Sequence, residues 1–503
     1  MKETLRTARW IAVFAFLAYA FTGGGRIVGS DEVTMLDLSR ALLRGHLDVP
    51  VGATLDGPDG RHYTKNAAGQ AVLALPLVAA AEGIAALSGL PEARRTLAVR
   101  FVTSFFNAVV TALLLAVFYA AARGLGVRAR AALAATVLLG FTTPLWVYAK
   151  SFMAEPLQAL GLLLALGGSA RAEDPRARAL GALGVFLAIS VKASMLPIAL
   201  LCAAPLLVAR PPRHWVPLAA VLALALLGHL VYDLGRFGNP LETGYGRQAT
   251  LAAYTTPIVV GLYGLLLSSG KGVVWFAPAL WIAPAGWRAM WGRPPCARRA
   301  AAGALAAWIA ALLLYASFEH WAGDGSFGPR YLVPLLPLAF LAVAFAIDRA
   351  SRGGRRLVWA LGLAGLLVQI GGVSIHFGAE MREAGDYPYT RPLSDPRFMS
   401  ESHFNPAFSP ILGHWRMLTR NVREHVRGRA PRLTGEGAAD PRVGIGGADQ
   451  ERLLHALDVW WLYMIYAGLP AGPVAIAALL ALVATLLGAR RLRAAARAEA
   501  RAA

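Results

Sequence analysis

Apolar runs recur from Trp10 to the C-terminal end of the chain, separated by short turns rich in arginine. About 20 residues of helix, at ~1.5 Å per residue, cross a ~30 Å hydrocarbon slab. Runs of that kind lie near 10–24, 97–120, 131–149, 155–169, 179–191, 194–209, 215–234, 272–289, 301–317, 331–347, 357–376 and 469–489. The pattern predicts an all-α, polytopic integral membrane protein with about 12 transmembrane helices. Ala71–Leu90 stands apart, because counting it as a span would put the later basic turns outside, against the charge rule. It is expected to be a membrane-surface or re-entrant helix packed on protein. The stretch from Leu180 to Ala209 is too long for one ordinary span and carries Lys192 in its middle, so it is expected to break there with Lys192 on the outer side.

Composition sharpens this picture. The 503 residues are 57% hydrophobic and 16% charged, with a mean hydropathy of +0.51, a balance no ordinary water-soluble core could hide. A net charge of +20 would suit a nucleic-acid binder. The basic residues, however, fall in the turns 123–130, 288–299 and 349–356 and in the tail 490–501, which is the positive-inside pattern and excludes nucleic acid as the partner. Lys2, Arg6 and Arg9 before an apolar stretch ending at Ala18-Tyr19-Ala20 also fit a signal peptide, and either reading leaves residue 26 outside. Cys202 and Cys296 are too few and too separated for a disulfide framework or a cysteine metal site.

Four regions follow: a membrane core over 1–376 with its first outer loop at 26–96, an extracytoplasmic segment at 377–455, a juxtamembrane stretch and last span at 456–489, and a basic cytoplasmic tail at 490–503. The first outer loop is too long for a mere turn. It opens Gly29-Ser30-Asp31-Glu32 and continues through Val33, Met35, Leu36, Leu38, Leu42 and Leu43, the pattern of a capped amphipathic helix at the membrane surface.

Asp31 and Glu32 have an ordinary reading, as acids that complement the positive end of that helix, and Glu155 before Pro156 has the same one. The topology adds something more, since it puts Glu155, in the second outer loop, on the same side as Asp31 and Glu32. Lys65, Lys192, Lys271 and Arg330 fall on that side too, each at or just beyond an apolar segment. Singly, each could snorkel to lipid headgroups; together they suit an anionic headgroup such as a phosphate. Gly270-Lys271-Gly272 lacks the spacing of a nucleotide loop. The histidines show no two-ligand helical spacing, so no metal ligands are assigned, and a divalent cation held by carboxylates stays open.

Several motifs carry a family resemblance. They are Ser30-Asp31-Glu32, Tyr63-Thr64-Lys65 before Gly69-Gln70-Ala71, Glu155, Phe237-Gly238-Asn239-Pro240-Leu241-Glu242-Thr243-Gly244-Tyr245, Ser268-Ser269-Gly270-Lys271-Gly272 and Gly328-Pro329-Arg330-Tyr331. With this layout the chain resembles the membrane glycosyltransferases of the GT-C class, near the bacterial lipid A aminoarabinose transferases and the protein O-mannosyltransferases, and looks like bacterial phospholipid carrier-dependent glycosyltransferases. The resemblance implies a GT-C core in the bacterial cytoplasmic (inner) membrane, with its active site facing the periplasm or cell exterior. It implies a polyprenyl-phosphate-linked sugar as donor and a lipid, glycan or protein hydroxyl as acceptor. It makes Asp31 the catalytic residue, with Glu32 and Glu155 as neighbouring acids and Lys65 on the carrier phosphate. Tyr63, Lys192, Lys271, Arg330 and Tyr245 are the further substrate-binding candidates. The chain departs from the aminoarabinose transferases in its Glu at the second loop and its short final outer segment.

Two other classes fit the apolar pattern. A transporter or lipid flippase would use the buried charges as an ion or headgroup pathway. A structural subunit would use them only to anchor lipid.

Overall fold

The computed structural model describes residues 2–208, 215–385, 399–434 and 447–502. Residues 209–214 lie outside the described residues, as do 386–398 and 435–446 of the expected extracytoplasmic segment. Helices dominate, and the β-structure among these residues is one short antiparallel hairpin, Leu55–Asp56 with His62–Tyr63. Seven helices among the described residues are long and apolar enough to cross a bilayer: Ala68–Leu87, Arg94–Gly124, Val216–Phe237, Pro295–Ala316, Arg330–Asp348, Arg352–Ser374 and Ala471–Ala502. Shorter apolar helices, Ala129–Phe141, Ala193–Pro205 and Ile258–Leu267, complete a polytopic all-helical membrane fold.

Where prolines fall, expected single spans divide, because proline removes a backbone donor and crowds the preceding turn. The run 131–149 ends as a helix at Phe141, and a one-turn helix, Leu145–Ala149, follows Pro144. The run 272–289 is built from Val273–Phe276, a 3-10 turn Pro278–Ile282 and Ala283–Trp291. The break in the stretch 180–209 falls at Lys192, between Pro175–Val191 and Leu196–Val208. Pro175–Val191 starts with Asp174 accepting a hydrogen bond from Arg176 N at 2.9 Å. It lies against Glu155–Ala170 so closely that a Cβ at Gly168 would come within 2.3 Å of Ala177 O, a contact only glycine allows.

Two expectations for the first outer loop are corrected. The apolar side of the helix Ser30–Leu43 is covered by protein and not by lipid: Val33, Met35, Leu36, Leu38, Ser39 and Ala41 are all buried. A helix buried on so many sides belongs inside protein, and this one packs on Ala68–Leu87 and against Phe106 and Phe152. Ala68–Leu87 in turn is one continuous helix of 20 residues, of spanning length, with no re-entrant break.

The two ends of the bundle differ in charge partners. At one end Asp348 takes Arg128 Nε at 2.7 Å and Arg293 Nη2 at 3.0 Å, Glu499 takes Arg123 Nε at 2.9 Å, and Arg299 Nη1 meets Glu173 at 2.7 Å. These pairs gather the arginine-rich turns, and they join the chain's two ends, since Thr4 also donates to Glu499 at 2.8 Å. The expected basic tail is the continuation of the 32-residue helix Ala471–Ala502, which packs along Lys2–Thr22. The acids and cations of the two outer loops collect at the opposite end.

Candidate active site

Arg330 is the centre of that collection. It opens the 3-10 turn Arg330–Leu335 after Gly328, whose positive φ of 67° lets the loop turn sharply into the helix. Its Nε donates to Glu155 Oε1 at 2.5 Å, and its Nη2 donates to Asp31 Oδ2 at 3.1 Å. One planar guanidinium thus bridges the acids of the first and second outer loops, a geometry that lysine cannot reproduce. Lys65 Nζ approaches Asp31 Oδ1 at 3.8 Å and lies 5.7 Å over the ring of Tyr245. Lys192 Nζ sits 4.8 Å over the ring of Tyr331, which itself stacks on Tyr315 at 4.4 Å. Among the described residues the Lys192 ammonium makes no hydrogen bond or ion pair.

The electrostatics follow from this crowding. Burial alone would raise the Asp31 carboxyl, but Arg330 and Lys65 outweigh it and hold the group below its usual value. Burial, with Arg330 nearby, presses the Lys192 ammonium down to about 8. Glu155 Oε2 is buried and finds no hydrogen-bond partner among the described residues, so the acid keeps an acceptor in hand. The site therefore holds two carboxylates against three cations, with one acceptor and one ammonium unspent. No group of three His, Cys, Asp or Glu side chains among the described residues could hold a metal ion.

Three expected site residues stand elsewhere. Glu32 is buried, its Oε2 accepts Gly29 N at 2.8 Å, and its Oε1 accepts Phe152 N. It closes the start of its own helix and ties the first outer loop to the second, which spends both oxygens on backbone. Tyr63 donates its hydroxyl to Asp59 Oδ2 at 2.7 Å and packs edge-on against Phe237. It braces the hairpin and does not reach Arg330. Lys271 Nζ donates to Asp324 O at 2.9 Å, Ser326 O at 2.7 Å and Ser326 Oγ at 3.2 Å, holding the loop that leads to Arg330. The other expected residues, Asp31, Glu155, Lys65, Lys192, Arg330 and Tyr245, come together.

Two supports were not expected. Arg236, buried between Tyr232 and Phe237, donates to Thr64 O and to Asp233, and so fixes the strand that delivers Lys65. Asp458 accepts Arg26 Nε at 2.9 Å and meets Lys150 Nζ at 2.8 Å in a buried cluster beside a pocket lined also by Glu32, Tyr148 and Ser326. The signal for Arg236 was an ionisable residue at the end of an apolar run, which in membrane proteins is rarely idle.

Fold and site together define a polytopic membrane protein with a charged chamber at one end of its helices, opposite the arginine-rich turns. In structure the chain is similar to ArnT from Cupriavidus metallidurans. In the apo state, 96% of this chain aligns with 76% of that one at 18% identity and a TM-score of 0.45. With undecaprenyl phosphate bound, the figures are 92%, 77%, 17% and 0.49. No protein-family model matches the sequence, and no curated protein does.

Proposed function

We propose that this protein is an inverting glycosyltransferase that moves a sugar from a polyprenyl-phosphate carrier to an acceptor hydroxyl on a lipid, glycan or protein, at the outer face of the cytoplasmic membrane. The observation that carries the reading is the Arg330 bridge between Asp31 and Glu155 with Lys65 and Lys192 beside it. An apolar carrier reaches such a site sideways from the bilayer, and its phosphate finds two ammonium groups and a guanidinium at the chamber.

Asp31 acts as general base. Its side chain keeps some exposure, 18%, so an acceptor hydroxyl can reach it. The hydroxyl oxygen attacks the anomeric carbon, the bond from that carbon to the phosphate oxygen breaks, and the electron pair leaves with the carrier phosphate. The hydroxyl proton passes to Asp31. A carboxylate held below its usual value still serves, because the proton transfers late, once the attacking oxygen has gained positive character. Glu155 Oε2, without a hydrogen-bond partner among the described residues, orients the acceptor hydroxyl. Lys65, Lys192 and Arg330 stabilise the charge that develops on the departing phosphate.

The test is native mass spectrometry of the gently purified Asp31→Asn variant. A co-purifying polyprenyl phosphate or its glycosylated form is expected, lost when Lys65→Ala is added. Absence of such a lipid from the Asp31→Asn protein would overturn the reading and favour a transporter.

A further inference from the structure

The longest helix of the outer segment, Pro410–Val426, has three faces. Gly413, His414, Met417 and Asn421 are buried against the protein, next to Gly371 near the outer end of Arg352–Ser374. Leu412, Trp415, Thr419, Val422 and Val426 recur at helical spacing along a second face, where Leu412 is 52% exposed and Val426 84%. Arg416, Arg420, Arg423 and Arg427 form a row between those two faces. An apolar stripe left open beside a row of cations is the design of a helix that lies in a membrane interface.

Position argues the same way. The 23-residue helix Arg352–Ser374 is about 35 Å long, enough to cross a ~30 Å slab. Its inner end stands with the arginine-rich turns, so its last turns reach the outer boundary. Trp415 Nε1 donates to Leu367 O at 3.0 Å there, a tryptophan at the level where aromatic side chains anchor membrane proteins. On the crossing helix Trp359, Leu363 and Leu367 recur every four residues and are exposed as well.

The arginines also need a cause. A long translocated segment escapes the charge rule that keeps cations inside, yet this one carries six arginines from Arg416 to Arg432 against the single acid Glu424. Glu424 pairs with Arg427 at 3.4 Å and with Arg429 at 3.3 Å, and Arg420 pairs with Glu383 at 2.6 Å. Arg416 and Arg423 have no carboxylate partner among the described residues.

We propose that Pro410–Val426 lies in the outer leaflet, its Leu412–Val426 stripe in the acyl boundary and Arg416 and Arg423 on anionic phospholipid headgroups. The helix then fixes the height of the outer segment over the chamber, and with it the level at which a lipid-borne ligand meets Arg330.

A bimane label on Val426→Cys, in full-length protein carrying Cys202→Ala and Cys296→Ser, tests this in nanodiscs of phosphatidylcholine with and without phosphatidylglycerol. Brominated lipid is expected to quench the label and aqueous iodide to leave it bright. Phosphatidylglycerol is expected to shift the ratio of buried to exposed label by about fivefold per arginine. The Arg416→Gln/Arg423→Gln pair abolishes that lipid dependence and keeps the basal quenching. Quenching by iodide alone, or indifference to phosphatidylglycerol, would overturn the proposal. Protection from both quenchers together with a dimer mass would replace the bilayer by a second copy of the chain.

Discussion

Lys150 and Asp458 meet at 2.8 Å although they stand 308 positions apart in the chain. Arg26 Nε reaches the same carboxylate at 2.9 Å, and all three side chains are buried. Arg26 stands at the root of the loop that carries Asp31, and Lys150 at the root of the loop that carries Glu155. The stretch before Trp460 therefore clamps both loops, and Trp460 N adds a bond to Gly23 O at 2.7 Å.

Removing the acid strands two buried cations. Asp458→Ala is expected to cost about 3–5 kcal/mol, the usual penalty for breaking a buried pair from one side. Unfolding in mild detergent measures it. A loss of under about 1 kcal/mol, the value of an exposed pair, would show that the cluster is wet and not a clamp.

Asp31 and Glu32 are neighbours in the chain with opposite consequences. Asp31 is partly exposed and shares Arg330 with Glu155, so Asp31→Asn should cost no more than the loss of a partly exposed pair, about 1 kcal/mol or less, and, on the proposed function, abolish transfer. Glu32 accepts two backbone N–H groups inside the protein. Glu32→Gln leaves one of those donors facing an amide NH2, so stability should fall by about 1–3 kcal/mol. Thermal unfolding of the two variants side by side separates the roles, and an Asp31→Asn protein as unstable as Glu32→Gln would make Asp31 structural too.

The all-helical membrane architecture was legible in the sequence because span length has one physical cause, and the arginine-rich turns expected on one side do gather at one end of the bundle. Within the site, legibility followed distance from a turn. Asp31, Lys65, Glu155, Lys192 and Arg330 sit at element ends, where an ionisable group beside an apolar run is conspicuous. Lys271 and Tyr63 are equally conspicuous but are spent on Ser326 O and Asp59, and nothing along the chain reveals such a partner 55 or 4 residues away. The Asp458 clamp was illegible for the same reason: it depends on the tertiary fold bringing Ser374, Gly23 and Lys150 to one point. The burial of Ser30–Leu43 was missed because its amphipathic pattern does not say whether lipid or protein covers the apolar side.

Acid should weaken the outer segment before it reaches the carboxylates. Burial pushes the His414 imidazole down to about 3 and His403 well below the ordinary value of 6.5. The folded protein thus binds fewer protons than the unfolded chain at these groups, and stability falls as pH drops below about 6.5, by about 1.4 kcal/mol per pH unit for each, down to about 3 in the case of His414. Asp31 and Asp458, held below 3.8, keep their contribution until the pH falls beneath that value. His414→Phe preserves the stacking on Phe327 and should flatten the slope between pH 6.5 and 4. An unchanged slope in denaturation at several pH values would place the sensitivity elsewhere.

Lys192 and Lys271 provide the sharpest contrast, since both are lysines at the outer side and only one has its hydrogen bonds filled. Lys271 Nζ holds the loop Asp324–Ser326 through two carbonyls and a hydroxyl, so Lys271→Met removes donors from buried acceptors and should cost about 1–3 kcal/mol of stability. Lys192 Nζ meets only the Tyr331 ring among the described residues. Lys192→Met therefore removes a desolvated cation from beside Arg330 and should leave the fold as stable as before or more so. On the proposed function the same change deprives the carrier phosphate of a charged donor, which weakens retention of the lipid by about tenfold or more. Lipid content by native mass spectrometry and unfolding in detergent, run on both variants, read the two effects separately. If Lys192→Met kept its lipid and Lys271→Met lost it, the phosphate would belong beside Ser326, and the Arg330 chamber would have to be assigned to the acceptor.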